Sequence, residues 1–102
     1  MEVLNKKVII RADRAGVFFG TLRAKRETPA GVEVELENSR RIWRWSGAAS
    51  LSQLATEGTK QPENCKFTVT VDNHMVMDVI EIIPCTEEAI KSIESVKVWR
   101  NS

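Results

Sequence analysis

Short stretches of alternating apolar and polar residues, separated by glycine, proline, asparagine and aspartate, run through most of this chain. The clearest is residues 32–37, where valine or leucine alternates strictly with glutamate. That alternation is typical of a strand with one buried face and one wet face. Turn-forming residues interrupt the pattern at 13–16, 29–31, 38–39 and 72–74. The chain therefore predicts five or six short strands, drawn from residues 8–10, 17–26, 32–37, 41–45, 66–71 and 75–83.

Two segments carry helical signals instead. Ser46 is a good N-cap residue, and the small and apolar residues after it predict an inserted helix over about residues 46–57. Thr86, followed by two glutamates where the helix dipole favours acidic side chains, predicts a C-terminal helix over about residues 86–95. Residues 96–100 are predicted to be a short final strand or an anchored tail.

Length and composition fit one small domain. A chain of 102 residues, 42% hydrophobic and 28% charged, is typical of a globular domain with a modest core. We predict an α+β, mainly β fold, in which a small barrel carries the two helices as a single domain over residues 1–102. The N-terminus lacks the order of charged and apolar residues of a signal peptide, and no run approaches the ~20 apolar residues of a membrane span. These features predict a cytoplasmic protein without a membrane partner.

The charge is nearly balanced but unevenly spread. A net charge of +1 gives no overall electrostatic reason to bind nucleic acid. Residues 1–51, however, carry ten Lys or Arg and six Asp or Glu, whereas residues 52–102 carry five and eight. A local basic patch is therefore compatible with this chain.

The most distinctive chemistry lies in residues 40–54, where two tryptophans and three arginines precede a run of small residues. Arg41, Trp43 and Trp45 have the same strand parity, which predicts that they share one face. Indole faces, fixed positive charge and the N–H groups at a helix start are what a planar phosphorylated ligand needs. In the alternative interpretation, the tryptophans fill the core and the small residues only let a helix pack closely. The predicted ligand-binding residues are Arg11, Arg14, Arg41, Trp43, Arg44, Trp45, Ser46, Gly47, Ala48, Ala49 and Ser50.

Arg11 and Arg14 belong to that set because they flank the first turn and could meet a ligand across a subunit boundary, although solvated turn residues are the ordinary case.

The sequence signals for a metal site or a catalytic nucleophile are weaker. The intervals between Cys65, His74 and Cys85 fit no standard zinc pattern, and His74 is expected in a turn exposed to water. A Cys–His nucleophile pair stays open as an alternative. Reduced cysteines, no catalytic residue, no metal and no cofactor are predicted, so we expect no enzyme activity.

Two resemblances add to these predictions. The first three strands, with residues 20–22 in the second, resemble the opening of an Sm-like small barrel over roughly the first third of the chain. The whole chain resembles a family of small proteins from tailed phages and prophages that has no settled activity. The residues that carry this second resemblance are 8–11, 13–17, 20–22, Trp43, 45–55, 65–67 and 81–86. It implies a phage protein in the cytoplasm of an infected or lysogenic bacterial host.

The combined prediction is a non-catalytic phage protein that binds and sequesters a nucleotide, for example a cyclic nucleotide signal of host antiviral defence. A homo-oligomer is predicted because short strands leave sheet edges that must be covered, with ligand pockets at subunit boundaries. A structural or accessory phage protein is the alternative, since Trp and Arg are also enriched at protein interfaces. A nucleic-acid-binding small barrel is the second alternative, against which the weak net charge counts.

Overall fold

A computed structural model describes residues 2–101. Its four strands form a closed barrel. The elements are β1 (Lys7–Ala12), β2 (Gly16–Thr28), β3 (Gly31–Arg44), α1 (Leu51–Glu57), a short 3-10 turn (Pro62–Asn64), β4 (Lys66–Pro84) and α2 (Glu87–Glu94). Strand β1 pairs antiparallel with β2 and β4, and β3 does the same, which gives the closed barrel order β1-β2-β3-β4. The mainly β fold with two helices is as predicted.

The strands are fewer and longer than predicted, because two predicted turns lie inside strands. Asn38 has a left-handed φ of 55° yet remains in β3, where it is part of a bulge opposite Gly20. A Cβ atom on Gly20 would lie 3.2 Å from the Ser39 Cα, so glycine permits this close approach. The predicted turn at residues 72–74 is likewise wrong, since Asn73 and His74 pair with β3 as part of β4. Turn-forming residues also tolerate the backbone of a bulge, so they need not end a strand.

The core has two parts, separated by β1. Alternate residues of a strand point to opposite faces, and β1 is buried on both, since Ile9 belongs to one cluster and Val8 and Ile10 to the other. The cluster inside the barrel contains only strand residues, namely Val8, Ile10, Ala12, Phe18, Leu22, Val34, Leu36, Val76 and Val79. The second cluster joins the strands to both helices and comprises Ile9, Phe19, Ile42, Leu54, Ala55, Cys65, Phe67, Ala89, Ile93 and Val96. The helices therefore cover one outer side of the barrel.

Helix α1 begins after Ser50 and not after Ser46, so the predicted start is wrong. Gly47 has a φ of 82°, which no right-handed helix contains, and the backbone before Ser50 is irregular. Ser50 Oγ accepts a hydrogen bond from the Gln53 N–H at 3.1 Å, and Gln53 Oε1 accepts one from the Ala49 N–H at 2.7 Å. These two hydrogen bonds fix the start of the helix at Ser50.

Helix α2 and the tail follow the sequence prediction. Thr86 is the N-cap residue, and its hydroxyl oxygen accepts from the Ala89 N–H at 3.1 Å. Beyond α2, Val98 forms an isolated parallel bridge with Phe67, and the Trp99 N–H donates to the Phe67 carbonyl at 2.9 Å. The tail is thereby attached to the first residues of β4. Neither helix has the length or the apolar content needed to cross a membrane.

The register leaves part of the stated reason for predicting a homo-oligomer in place. Strand β1 is short, so within residues 2–101 it pairs only with residues 16–21 of β2 and residues 79–84 of β4, and the far ends of those two strands have no strand partner on that side. The homo-oligomer itself stays a prediction.

Candidate functional site

The predicted site does not form one surface, because the end of β3 interrupts the alternation on which the prediction depended. The register of β3 with β4 shifts between Ile42 and Arg44, and the strand ends at Arg44. Trp43 is 64% exposed, whereas Trp45 packs against the core cluster beside the helices. Arg41 is exposed and lies elsewhere again, with its guanidinium 4.8 Å from the centre of the Phe18 ring. The aromatic and basic residues are therefore divided among three environments.

The first environment is an exposed pair of tryptophans. The ring centroids of Trp43 and Trp99 lie 6.2 Å apart with 13° between the ring planes. Trp99 is 43% exposed, and the Lys66 ammonium lies 5.2 Å from the centre of its ring, within the range of a cation–π contact. Arg44 is paired with Lys66 across β3 and β4. We call these four residues the exposed cluster.

Three separate elements position the exposed cluster. The end of β3 carries Trp43 and Arg44, the start of β4 carries Lys66, and the tail after α2 carries Trp99. Trp99 borders two surface hollows that share Glu63 and Cys65. The hollow of about 430 Å³ is lined by Arg44, Ser46, Glu63, Asn64, Cys65, Lys66 and Trp99. The hollow of about 440 Å³ is lined by Pro62, Glu63, Cys65, Ser95, Lys97, Val98 and Trp99.

The positive charge of this cluster is not neutralised by an ion pair. Arg26, on the opposite part of the barrel, is held by both Glu33 and Glu35. Among residues 2–101, by contrast, no carboxylate lies within salt-bridge distance of Arg44 or Lys66. Charge that is not already paired is available to an anionic ligand. The exposed cluster thus combines two partly exposed indoles with two cations that have no ion-pair partner among residues 2–101.

The second environment, around Trp45, is structural. Trp45 packs with Val17 and Leu51 against the cluster that joins barrel and helices, as the alternative interpretation had it. It also borders a hollow of about 480 Å³ with Arg11, but the Arg11 Nε lies 3.2 Å from Glu81 Oε1. That arginine is therefore already paired. The other arginine of the first turn, Arg14, is exposed in the β1–β2 turn and is not among the residues that line this hollow.

Of the small residues after Trp45, Ser46, Gly47 and Ala48 lie in irregular backbone and pack closely, whereas Ser50 is the N-cap of α1. The Ser46 carbonyl accepts from the Thr59 hydroxyl at 2.5 Å, and the Gly47 carbonyl accepts from the Lys60 N–H at 3.2 Å. A Cβ atom on Gly47 would lie 2.5 Å from the Gln61 nitrogen. Ala48 packs against the same core cluster as Trp45. The helix start at Ser46, on which the predicted phosphate site depended, is therefore wrong, because α1 begins only after Ser50.

The third environment surrounds the only histidine. His74 is half-buried, and its Nδ1 lies 3.1 Å from the hydroxyl oxygen of the buried Ser39. Its ring meets Phe18 edge-on at 5.0 Å, and the Arg41 guanidinium lies 4.8 Å from the centre of the same Phe18 ring. Burial, and then the charge of Arg41, lower the pKa of His74. The expectation of a turn histidine in water is wrong, because the turn does not exist.

The cysteines do not form a nucleophile pair with the histidine. Neither is in a disulfide. The Cys65 sulfur contacts oxygens of Ser46 and Thr59, whereas the His74 ring contacts the Ser39 hydroxyl and the Phe18 ring. Burial raises the pKa of Cys85 to about 12, so this thiol is protonated at neutral pH. Within residues 2–101, no group of three or more His, Cys, Asp or Glu side chains could hold a metal ion.

Sequence reasoning missed two residues of the exposed cluster, Lys66 and Trp99. The sequence did carry a signal for Trp99. This third tryptophan lies between Lys97 and Arg100, so the tail combines aromatic and basic residues as residues 40–45 do. Lys66 had no local signal, since its role follows only from pairing with Arg44 across two strands.

The comparisons with known proteins identify a family but bring no activity. A family model described as Domain of unknown function (DUF6948) matches residues 5–93. No curated protein and no solved structure matches the chain. The matched span contains Trp43, Arg44 and Lys66 and ends before Trp99.

Proposed function

This chain belongs to the family described as Domain of unknown function (DUF6948), and from its own residues we propose that it binds and sequesters a nucleotide without changing it chemically. The observation that supports this proposal is the exposed cluster, in which Trp43 and Trp99 lie nearly parallel beside Lys66 and Arg44. Large apolar side chains exposed together usually belong to an interaction site.

The chemistry of the cluster suits a base joined to a phosphate. An indole that is 64% exposed, as in Trp43, can receive a base, and such stacking contributes about 1–3 kcal/mol. Arg44 and Lys66 supply charge to the phosphate, and charge-assisted hydrogen bonds are about twice as strong as neutral ones. The hollow between Arg44, Lys66 and Trp99, of about 430 Å³, has the size of a small-molecule site.

The biological setting that we propose follows from the resemblance to phage and prophage proteins. A small protein that holds a nucleotide and releases it unchanged could remove a signal, such as a cyclic nucleotide of host antiviral defence, from solution. The proposal therefore places the protein in the cytoplasm of an infected or lysogenic host and assigns it no catalytic step.

The direct test is to purify the protein from cells, denature it and examine the released small molecules by mass spectrometry. In parallel, AMP, 3′,5′-cyclic AMP and an oligothymidylate of eight residues are titrated while tryptophan fluorescence is followed. Quenching that is lost in Trp43→Phe and in Arg44→Gln would support the proposal. Recovery of no nucleotide together with no response to either mononucleotide would refute it. Stronger binding of the oligothymidylate would favour the nucleic-acid alternative.

A second candidate function, a protein-interaction module, is favoured by a different observation on β4. Val69, Val71, Met75, Met77 and Ile80 are all between 41% and 61% exposed, with Met77 the most open. Exposed apolar side chains along one strand give the predicted homo-oligomer a physical basis besides the unpaired strand sides. Light scattering tests it: Met77→Glu should lower the mass of an assembly of copies, and a monomer at micromolar concentration for the unaltered chain would exclude self-association.

A further inference from the structure

Arg40 is a buried arginine whose charge has no acidic partner. It lies in β3, is 6% exposed, and donates only to backbone carbonyls. Its Nε donates to Thr68 at 3.0 Å, and its Nη1 donates to Ile93 at 3.2 Å. Its Nη2 donates to Phe67 at 3.2 Å and to Lys97 at 3.4 Å. Among residues 2–101, no carboxylate forms a salt bridge with this guanidinium.

The four carbonyls belong to three separate parts of the chain. Thr68 and Phe67 are in β4, Ile93 is in the last turn of α2, and Lys97 is in the tail. The carbonyl end of a helix carries the negative end of its dipole, so the bond to Ile93 partly compensates the buried charge. Burial lowers the pKa of Arg40. The arginine fork donates here from three separate nitrogens, whereas the three donors of a lysine share a single nitrogen and cannot reach all four carbonyls in the same way.

The same contacts fix Trp99. The Phe67 carbonyl accepts from both Arg40 Nη2 and the Trp99 N–H, the latter at 2.9 Å. Lys97, two residues before Trp99, is held by the guanidinium as well. We infer that Arg40 is a positioning residue of the exposed cluster, because it fastens the tail to β4 and so holds Trp99 parallel to Trp43. The consequence for ligand binding rests on the proposed nucleotide function, whereas the fastening of the tail does not.

The test compares Arg40→Lys, which keeps the charge but loses the fork, with Arg41→Lys, a neighbouring arginine that does not contact the tail. Amide hydrogen exchange by NMR is the first measurement, and it needs no ligand. In Arg40→Lys, the Trp99 N–H should exchange about tenfold faster while the Ile10 N–H in the barrel core is unchanged. Arg41→Lys should leave both unchanged. Equal acceleration at Trp99 and Ile10, or none at Trp99, would overturn the inference.

Affinity for AMP is the second measurement. If the tail is docked about a tenth of the time in Arg40→Lys, the apparent affinity falls about tenfold, because only the docked state binds. If the exchange shows that the Trp99 N–H is almost unprotected in Arg40→Lys, unchanged AMP affinity would overturn the link between Arg40 and the site. An unaltered protein that binds no AMP, with Trp99 still released by Arg40→Lys, would reject the nucleotide proposal and retain the positioning role.

The unaltered protein provides an answer even if Arg40→Lys fails to fold. The side-chain N–H protons of Arg40 should exchange slowly with water and show nuclear Overhauser effects to the Lys97–Val98 backbone, since they donate to carbonyls in a buried position. Rapid exchange of these protons, or the absence of such effects, would overturn the inference.

Discussion

Trp43 and Trp45 are two residues apart and yet belong to different parts of the molecule. Trp43 is 64% exposed and lies parallel to Trp99, whereas Trp45 packs against the cluster that joins the barrel to the helices. The cations near them differ in the same way, since Arg44 has no ion-pair partner among residues 2–101 and Arg11 is paired with Glu81. The density of Trp and Arg in the sequence does not distinguish a binding surface from a packed interior. Side-chain exposure and charge without an ion-pair partner do distinguish them.

The largest expected effect concerns Gly47, on the packed side. Gly47→Ala should lower the free energy of unfolding by about 2–4 kcal/mol, because its φ of 82° is left-handed and a Cβ atom would lie 2.5 Å from the Gln61 nitrogen. Urea unfolding measures this loss in the free energy of unfolding. Gly16→Ala is the matched control, with a φ of 102° but nothing within 4 Å of its Cβ position. Equal losses for the two variants would mean that the close approach at Gly47 costs nothing.

The second prediction compares the two tryptophans directly. Trp45→Ala should cost about 2–3 kcal/mol of stability, somewhat less than the ~3–5 kcal/mol of a fully buried tryptophan, because Trp45 is only half-buried. Trp43→Ala should change stability by no more than about 0.5 kcal/mol, as at other exposed positions. Thermal and urea unfolding of both variants provide the comparison. A larger loss for Trp43→Ala would reverse the assignment of structural and exposed roles.

Much of the fold could be predicted because local patterns decide it. The strict alternation at residues 32–37, the helix cap at Thr86 and the helix end at Gly58 all appear where the sequence indicates them. The strand count could not be predicted, because Asn38 and residues 72–74 are turn formers that here lie within long strands. Only pairing with distant partners, such as the close approach at Gly20, distinguishes a bulge from a turn.

The candidate site was predicted in part. Trp43 and Arg44 lie in the exposed cluster, but strand parity wrongly placed Trp45 beside them, since the strand ends at Arg44. The sequence analysis predicted Ser46 as the N-cap residue of α1, whereas Ser50 caps the helix by accepting from the Gln53 N–H. Residues brought in from β4 and the tail could not be identified from local patterns, because they join the site through long-range contacts.

The third prediction sharpens the comparison through ligand binding. Arg44→Ala should weaken AMP binding roughly tenfold or more, since a charge-assisted contact to phosphate contributes about 1.5–3 kcal/mol. Arg11→Ala, which removes the arginine already paired with Glu81 beside Trp45, should leave the affinity nearly unchanged. Isothermal titration at constant ionic strength measures both. If Arg11→Ala has the larger effect, the ligand lies on the Trp45 side and the exposed cluster is not the site.

The smallest expected effect concerns pH, and it uses a group that lies in neither region. The pKa of His74 in the folded protein is below the 6.5 of an unperturbed histidine. As the pH falls below about 6.5, the unfolded chain takes up a proton that the folded protein does not, so stability decreases until the folded pKa is reached and then levels off. The stabilising contribution of neutral His74 is therefore complete above about pH 6.5. His74→Gln should flatten this part of the curve, measured by urea unfolding between pH 5 and 7.5. The contacts of His74 are with Ser39 and Phe18 and not with Trp43 or Trp45. Trp43→Phe and Trp45→Phe should therefore retain the same slope as the unaltered chain. A slope that disappears in only one of these two variants would connect His74 to that tryptophan and show that the two regions are not independent.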